Sequence, residues 1–142
     1  MNTNTAMTIY NRIAGTETYQ RTVIVAVEWE NRKAVNGMKS GALASNTARV
    51  FIPKSVGANY LKPKAWQALT TKTGKWTIQE GDVIMKGAVT DEIHAAVVGP
   101  PAVEAFTISS LKAKYDDVLS ITSVDTHDMG SLVLQHWEIG AK

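Results

Sequence analysis

The residues best suited to metal chemistry lie near the end of the chain. Asp125, His127 and Asp128 fall within four positions, and His136 follows nine positions after His127. Imidazole and carboxylate groups are ligands that zinc and similar divalent ions accept. Aspartate is equally common in turns, where its side chain bonds the nearby backbone. We therefore expect a polar hairpin tip here, with no metal ion and no other cofactor.

No other segment offers a recognisable catalytic set. Residues 70–75 contain the Gly-Lys pair of a phosphate-binding loop, but that loop also requires glycine where this chain has Leu69 and serine or threonine where it has Trp76. Asp116 and Asp117 are adjacent, so on a strand they point to opposite faces and do not converge on one substrate atom. A Gly-x-Ser-x-Gly motif is absent from the sequence. We expect no enzyme.

Composition indicates one domain held together by packing. The 142 residues are 44% hydrophobic, which suffices for one core, and we expect a single domain over 1–142. The chain has no cysteine, which removes disulfides, thiolate nucleophiles and cysteine zinc sites together. No apolar run approaches the roughly 18 residues of a membrane span, and the N-terminus is polar, so we expect neither a membrane partner nor a secretion signal.

Charge is distributed unevenly along the chain. Residues 31–75 contain nine Lys or Arg and no Asp or Glu, whereas residues 76–142 contain four Lys and ten acidic residues. If folding keeps these segments on different surfaces, each molecule is electrically two-ended, which favours stacking of copies or a basic face toward nucleic acid. If folding interleaves the segments, the asymmetry cancels.

Short alternating segments predict a mainly β fold. In residues 18–30, Val23, Val25, Val27 and Trp29 share one face, as in a half-buried strand. Short helices are predicted at 63–69 and 107–115. Together these patterns indicate a small β-barrel or sandwich with long loops and one or two short helices. The further predicted strands are 7–13, 49–52, 76–78, 83–86, and the hairpin of 118–124 with 132–139.

Two long connections are the candidate interaction segments, because long loops in compact domains are usually functional or disordered. Residues 31–46 are rich in Gly, Asn, Ser and Lys and predict a mobile loop, and residues 88–106 contain an apolar stretch before two prolines. The candidate interface or DNA-channel residues of the first are Arg32, Lys33 and Lys39. The candidate inter-subunit residues of the second are His94, Val97, Val98, Pro100 and Pro101.

The four tryptophans are predicted to be core residues. Aromatic side chains can stack on bases or sugars, but they more often fill cores and interfaces. Each tryptophan here lies within or beside an apolar pattern. These residues are Trp29, Trp66, Trp76 and Trp137.

The order of the elements resembles that of small proteins of tailed bacteriophages. The strings TIYN, LKPKAWQAL, WTIQEGDVIMKGAVTDEI and KAKYDDVLSITSVDTHDMGSLVLQHWEIGAK are similar to a family of minor capsid or head-tail connector proteins encoded among head and neck genes. The ending is also similar to phage head-closure proteins, through Gly81-Asp82, the strand 121–125, a polar loop and the strand 136–139. The long connection 88–106 departs from that pattern.

This resemblance implies a small, non-catalytic β-barrel that assembles as a homo-oligomeric ring, hexameric or dodecameric, around the DNA channel of the virion. Its partners would be a portal or adaptor protein, a tail terminator or tail tube protein, and, transiently, genomic DNA. It would assemble in the host cytoplasm, in an adaptor, stopper or tail-terminator role.

Two other functions stay open from the residues themselves. One is a nucleic-acid-binding β-barrel, which would use the basic segment with Tyr60 and Trp66. The other is a small metal-dependent or hydrolytic enzyme that would use His127 and His136. No motif in the sequence requires either function.

Overall fold

Six antiparallel strands close into a barrel in the computed structural model, which describes residues 2–35 and 44–142, and the side chains of 2–31 and 47–142. Around the barrel the strand order is β1-β2-β3-β6-β5-β4. Closure pairs the edges that an open sheet would expose. The predicted mainly β fold is thereby confirmed. The strands are β1 (Thr5–Arg12), β2 (Tyr19–Val35), β3 (Ala44–Pro53), β4 (Val83–Lys86), β5 (Leu119–His127) and β6 (His136–Ala141).

The alternation of core-facing residues along β2 changes near the point where its pairing passes from β1 to β3. The alternating pattern predicts that Val25 shares a buried face with Val27, but Val25 is 75% exposed and Ile24 is buried instead. The pairing with β1 jumps from Met7–Ile24 to Thr5–Val27, so β2 carries one extra residue. Such a β-bulge changes which residues face the core. The expectation for Val25 is therefore wrong.

Beyond the barrel wall, β2 and β3 continue as a two-stranded ribbon, residues 32–35 and 44–47. The pairs run on to Val35–Ala44, whereas β6 pairs with β3 from Ala48 to Pro53. Residues 31–35 and 44–46 are thus strand, and the predicted loop 31–46 is wrong for them. Pairing that is already established along the ladder overrides a composition typical of turns. Residues 36–43 of that predicted loop lie outside the described residues.

The connection from β3 to β4 contributes aromatic residues to the core. The Trp76 ring packs edge-on against Tyr60 and Trp137, with centroid separations of 5.3 and 5.8 Å. All three belong to or pack against the inner cluster of the barrel. Trp76 makes an isolated bridge to Tyr60 instead of joining a sheet, so the predicted strand 76–78 is wrong. At this position, filling the core decides the conformation.

Two short helices lie close to their predicted positions. Helix α1 (Pro63–Gln67) has proline in its first turn, where the missing N–H costs nothing. Helix α2 (Ile108–Lys114) begins after Thr107, whose hydroxyl accepts a hydrogen bond from the Ser110 N–H at 3.2 Å. The Ser110 hydroxyl accepts one from the Thr107 N–H in return. This reciprocal capping satisfies two N–H groups that have no partner inside the helix.

The β5–β6 hairpin is present, but its second strand starts later than predicted. Leu132–Leu134 form a 3-10 turn, and β6 begins at His136. Val133, which lies within the predicted strand, is 80% exposed. The Leu-Val-Leu run lacks the polar alternation that determines which side faces the core. The predicted strand 132–139 is therefore wrong over its first four residues.

Candidate functional site

A second apolar cluster lies on the outer face of β1 and β4. Ile84 belongs to the inner core, so Val83 and Met85 on either side of it face outward. The connection after β4 covers them, because its residues Val89 and Ile93 are buried against the same face. The buried members of this cluster are Tyr10, Val83, Met85, Val89, Ile93 and Leu111.

Asp91 joins the start of this connection to α2 and β1. Its carboxylate accepts hydrogen bonds from the Tyr115 hydroxyl at 2.5 Å and from Lys114 Nζ at 3.0 Å. Its backbone carbonyl accepts one from the Tyr10 hydroxyl at 2.8 Å. The Tyr115 hydrogen bond and then the Lys114 hydrogen bond lower the pKa of Asp91, whereas burial raises the pKa of Tyr10 to about 12. At neutral pH an ionised carboxylate and a neutral phenol therefore hold this segment.

Arg21 of β2 holds the adjoining residues. Its Nε donates to Glu92 Oε1 at 2.7 Å, and its Nη1 donates to the Val89 carbonyl at 2.9 Å. Residues 89–93, which we call the root, are thus fixed to the barrel by both apolar and polar contacts. The chain that leaves Ile93 starts from a defined position.

Residues 94–105, which we call the arm, extend from the root into solvent. Backbone hydrogen bonds of 2.8 to 3.0 Å join His94 to Phe106 and Val97 to Val103. Every arm residue is exposed, and Val98 is 95% exposed. An exposed apolar segment whose base is fixed to the barrel is typical of an interaction surface. The candidate inter-subunit residues His94, Val97, Val98, Pro100 and Pro101 all lie in the arm.

A second exposed apolar patch lies between β5 and β6. Leu132 and Val133 are 67% and 80% exposed and form one side of a groove of about 320 Å³. Sequence reasoning missed this groove because it placed both residues in a strand. The turn-forming residues 128–131 just before them were the available signal. The other residues lining this apolar groove are Thr3, Ala26, Pro53, Ser55 and Val56.

The candidate DNA-channel residues Arg32 and Lys33 lie in the ribbon. In the β2–β3 ladder they pair with Thr47 and Asn46. Lys39 lies outside the described residues. The structure thus places two of these three basic positions next to each other along a paired strand instead of in a loop.

The histidines considered as metal ligands do meet, but as stacked rings. His127 and His136 are cross-strand partners with ring centroids 4.5 Å apart and an interplanar angle of 17°. His127 Nε2 lies 3.1 Å from Glu138 Oε2, and the other carboxylate oxygen of Glu138 lies 3.1 Å from Arg49 Nε. Among the residues that the structure describes, no group of three His, Cys, Asp or Glu is arranged to hold a metal ion. Glu138 instead links β3, β5 and β6.

All four tryptophans are buried. Trp66 is fully buried, and its indole N–H donates to the Lys75 carbonyl at 3.0 Å. The same carbonyl accepts from Gln20 Nε2 at 2.6 Å, so the basic turn 70–75 is tied to β2. Lys72 Nζ lies 5.4 Å from the centroid of the Trp66 ring. Trp66 is therefore not placed to stack on a nucleic-acid base.

Asp82 is a buried carboxylate within a polar network. It accepts hydrogen bonds from Asn11 Nδ2 at 2.9 Å, Gln79 Nε2 at 2.8 Å and the Arg12 backbone N–H at 3.2 Å. Burial raises the pKa of Asp82, and these three hydrogen bonds act in the opposite direction. Gln67 of α1 joins the network through Gln79 at 2.8 Å. Both carboxylate oxygens accept hydrogen bonds. Through these bonds and the Gln67 amide, the network connects β1, α1 and the turn before β4.

In a comparison with protein families, residues 2–142 match the model of a family of unknown function. The chain belongs to DUF6751. The search of curated proteins and the search of solved structures gave no match. The DUF6751 match includes the barrel, the root, the arm and the apolar groove alike. In the part of this DUF6751 chain that the structure describes, no helix is long and apolar enough to cross a membrane.

Proposed function

We propose that this chain is a structural virion protein of a tailed-bacteriophage neck, which forms a ring that joins or closes the head to the tail around the DNA channel. The role is architectural and needs no catalysis. The resemblance of the strings in the sequence to head-tail connector proteins suggests this class, and a small barrel with protruding segments is compatible with it.

The observation that carries the proposal is the anchored, apolar arm. Val97, Val98 and Val103 are 53%, 95% and 46% exposed, while Val89 and Ile93 of the root are buried and its backbone accepts hydrogen bonds from Tyr10 and Arg21. Covering three such valines would contribute on the order of a few kcal/mol to an association. Because the root already restrains the arm, little further ordering would oppose binding. Both features support a role in assembly with other protein chains.

The ribbon supports the proposed passage of DNA. Arg32 and Lys33 are successive residues of β2 in the ribbon. The ribbon extends beyond the part of β3 that pairs with β6. Basic residues attract phosphate without reading base identity, and salt weakens that attraction. A channel through which a whole genome moves requires contact of this kind, since tight specific binding would obstruct movement.

The alternative, a nucleic-acid-binding barrel, needs accessible aromatic rings on which bases stack. Its two candidate residues are Tyr60, which packs against Trp137 at 4.4 Å between centroids, and Trp66, which is fully buried. Trp66 is thus inaccessible to a base, whereas Tyr60 is half-buried and also lines an open groove with Lys62 and Ile78. The burial of Trp66 favours the neck protein over the alternative.

The proposal is tested by finding the protein in particles. Deletion of its gene from the phage or prophage that encodes it should give DNA-filled or leaky heads without tails, and complementation should restore virions. Electron microscopy of the purified protein, alone and with its portal or adaptor, should show rings. Normal infectious particles from the deletion strain, or a protein absent from purified virions, would contradict the proposal. Salt-sensitive binding of the isolated chain to single-stranded DNA, without rings, would favour the alternative.

A further inference from the structure

We infer that the arm of one copy docks into the apolar groove of a second copy of this chain. The inference rests on the proposed ring assembly and deepens it by naming the two surfaces that meet. One surface is convex and apolar, and the other is concave and apolar.

The two surfaces belong to different elements of the fold. The arm extends from a root packed on β1 and β4, whereas the lining of the groove comes from the bulged part of β2, the end of β3 and the turn before β6. After one such contact, the copy that contributes its arm still has a free groove, and the copy that contributes its groove still has a free arm. Repetition of such a heterologous contact generates a ring when the rotation closes.

Size and exposure also match. The groove has a volume of about 320 Å³, which suits a few small apolar side chains. The arm presents valine, alanine and proline around Gly99, without a bulky side chain at its tip. Leu132 and Val133 on the rim of the groove are themselves largely exposed. A single contact would therefore cover the apolar surface of both.

Charge favours this occupant. Glu104 lies next to Val103 on the exposed arm. Lys54 lies between the groove residues Pro53 and Ser55 in sequence, with its Nζ 4.5 Å from the centroid of the Trp137 ring. Lys54 borders the groove without lining it, so arm-to-groove docking would bring Glu104 toward an opposite charge at the edge of the interface, which sets register more than affinity. Pairing of two arms would instead place two Glu104 side chains together and leave both grooves uncovered.

The absence of cysteine from the sequence allows a direct test by disulfide cross-linking. Val98→Cys in the arm and Ser55→Cys in the groove both change exposed residues. A disulfide forms when the two Cα atoms come within about 7 Å, so it reports a specific contact. The double variant, oxidised mildly at high protein concentration, should give a ladder of covalent multimers on a non-reducing gel. Mixed single variants carrying tags of different mass should give the heterodimer.

The matched control pairs Val98→Cys with Thr71→Cys, an exposed position in the turn after α1, and should give no ladder. A wild-type chain that forms rings while the double variant forms no ladder would overturn the arm-to-groove contact and leave the proposed function standing. Dimers of Val98→Cys alone that form as fast as the double-variant products would overturn it in favour of arm pairing. A chain that stays monomeric at high concentration also overturns it, and the presence of the protein in virions then decides the proposed function separately.

Discussion

Arg21 Nε and Glu92 Oε1 lie 2.7 Å apart and join strand β2 to the root of the arm. The same guanidinium donates to the Val89 carbonyl, so one side chain holds both ends of the segment 89–92. Strand β2 of the barrel wall thereby positions the root, and through the root the exposed arm.

Arg21→Gln should loosen the root without unfolding the barrel. Glu92 is 56% exposed, and an ion pair of this kind contributes only about 1 kcal/mol to the free energy of unfolding. Hydrogen exchange of residues 88–93 should speed up, while chemical denaturation changes little. Arg12→Gln is the matched control, because it removes the exposed pair with Glu17 away from the root. Unchanged protection of residues 88–93 in Arg21→Gln would show that the apolar contacts alone hold the root.

Trp137→Ala should destabilise the protein by about 3 to 5 kcal/mol, the usual cost of emptying a buried aromatic site. Trp137 is 3% exposed and packs against Tyr60 and Trp76. Val133→Ala, in the adjacent 3-10 turn, should change the free energy of unfolding by less than about 0.5 kcal/mol, because Val133 is exposed. Urea denaturation of both variants checks the contrast. Equal effects would mean that Trp137 contributes no more to the core than a surface residue.

Asp82 should make a contribution to the free energy of unfolding that is larger at low pH than at neutral pH. Burial raises its pKa above the ordinary value of 3.8, so the folded state binds a proton more tightly than the unfolded state. This contribution is therefore greatest at low pH and decreases as pH rises from about 4 through the raised pKa. The free energy of unfolding of wild type minus that of Asp82→Asn should fall over this window. Asp116→Asn controls for the loss of one surface carboxylate, and a difference that rises with pH would refute the assignment.

Replacing Arg32, Lys33 and Lys39 together by Gln should leave the barrel folded while reducing infectious particles. The described two positions lie in the ribbon and not in the barrel wall, so little core packing is lost. Weaker attraction for phosphate should give leaky or tailless heads, seen by electron microscopy and plaque counts. Circular dichroism confirms the fold of the variant. Normal virions with normal DNA retention over a range of salt would show that these charges are only solvated.

The local pattern of the sequence was sufficient to predict the β class, the two short helices and the burial of the tryptophans. Thr107 caps α2 through neighbours three positions away, and β4 follows the Gly81 turn as a short apolar run, so nearby residues determine both features. Trp66 and Trp137 are large and apolar enough that burial follows from their chemistry in almost any arrangement.

Only the tertiary structure decided where residues depart from the burial or the conformation that their local sequence pattern predicts. The extra residue of β2 that exposes Val25 appears only when its pairing with β1 is known. The ribbon forms because the pairing of β2 with β3 in the barrel wall continues beyond that wall. The apolar groove needs Ala26, Val56 and Val133, which come from three segments far apart in sequence. The arm is an apolar run in the sequence, but its exposure depends on Tyr10, Arg21 and Tyr115 holding its root. Periodicity reports on neighbours along the chain, whereas these features arise from contacts between residues far apart in sequence.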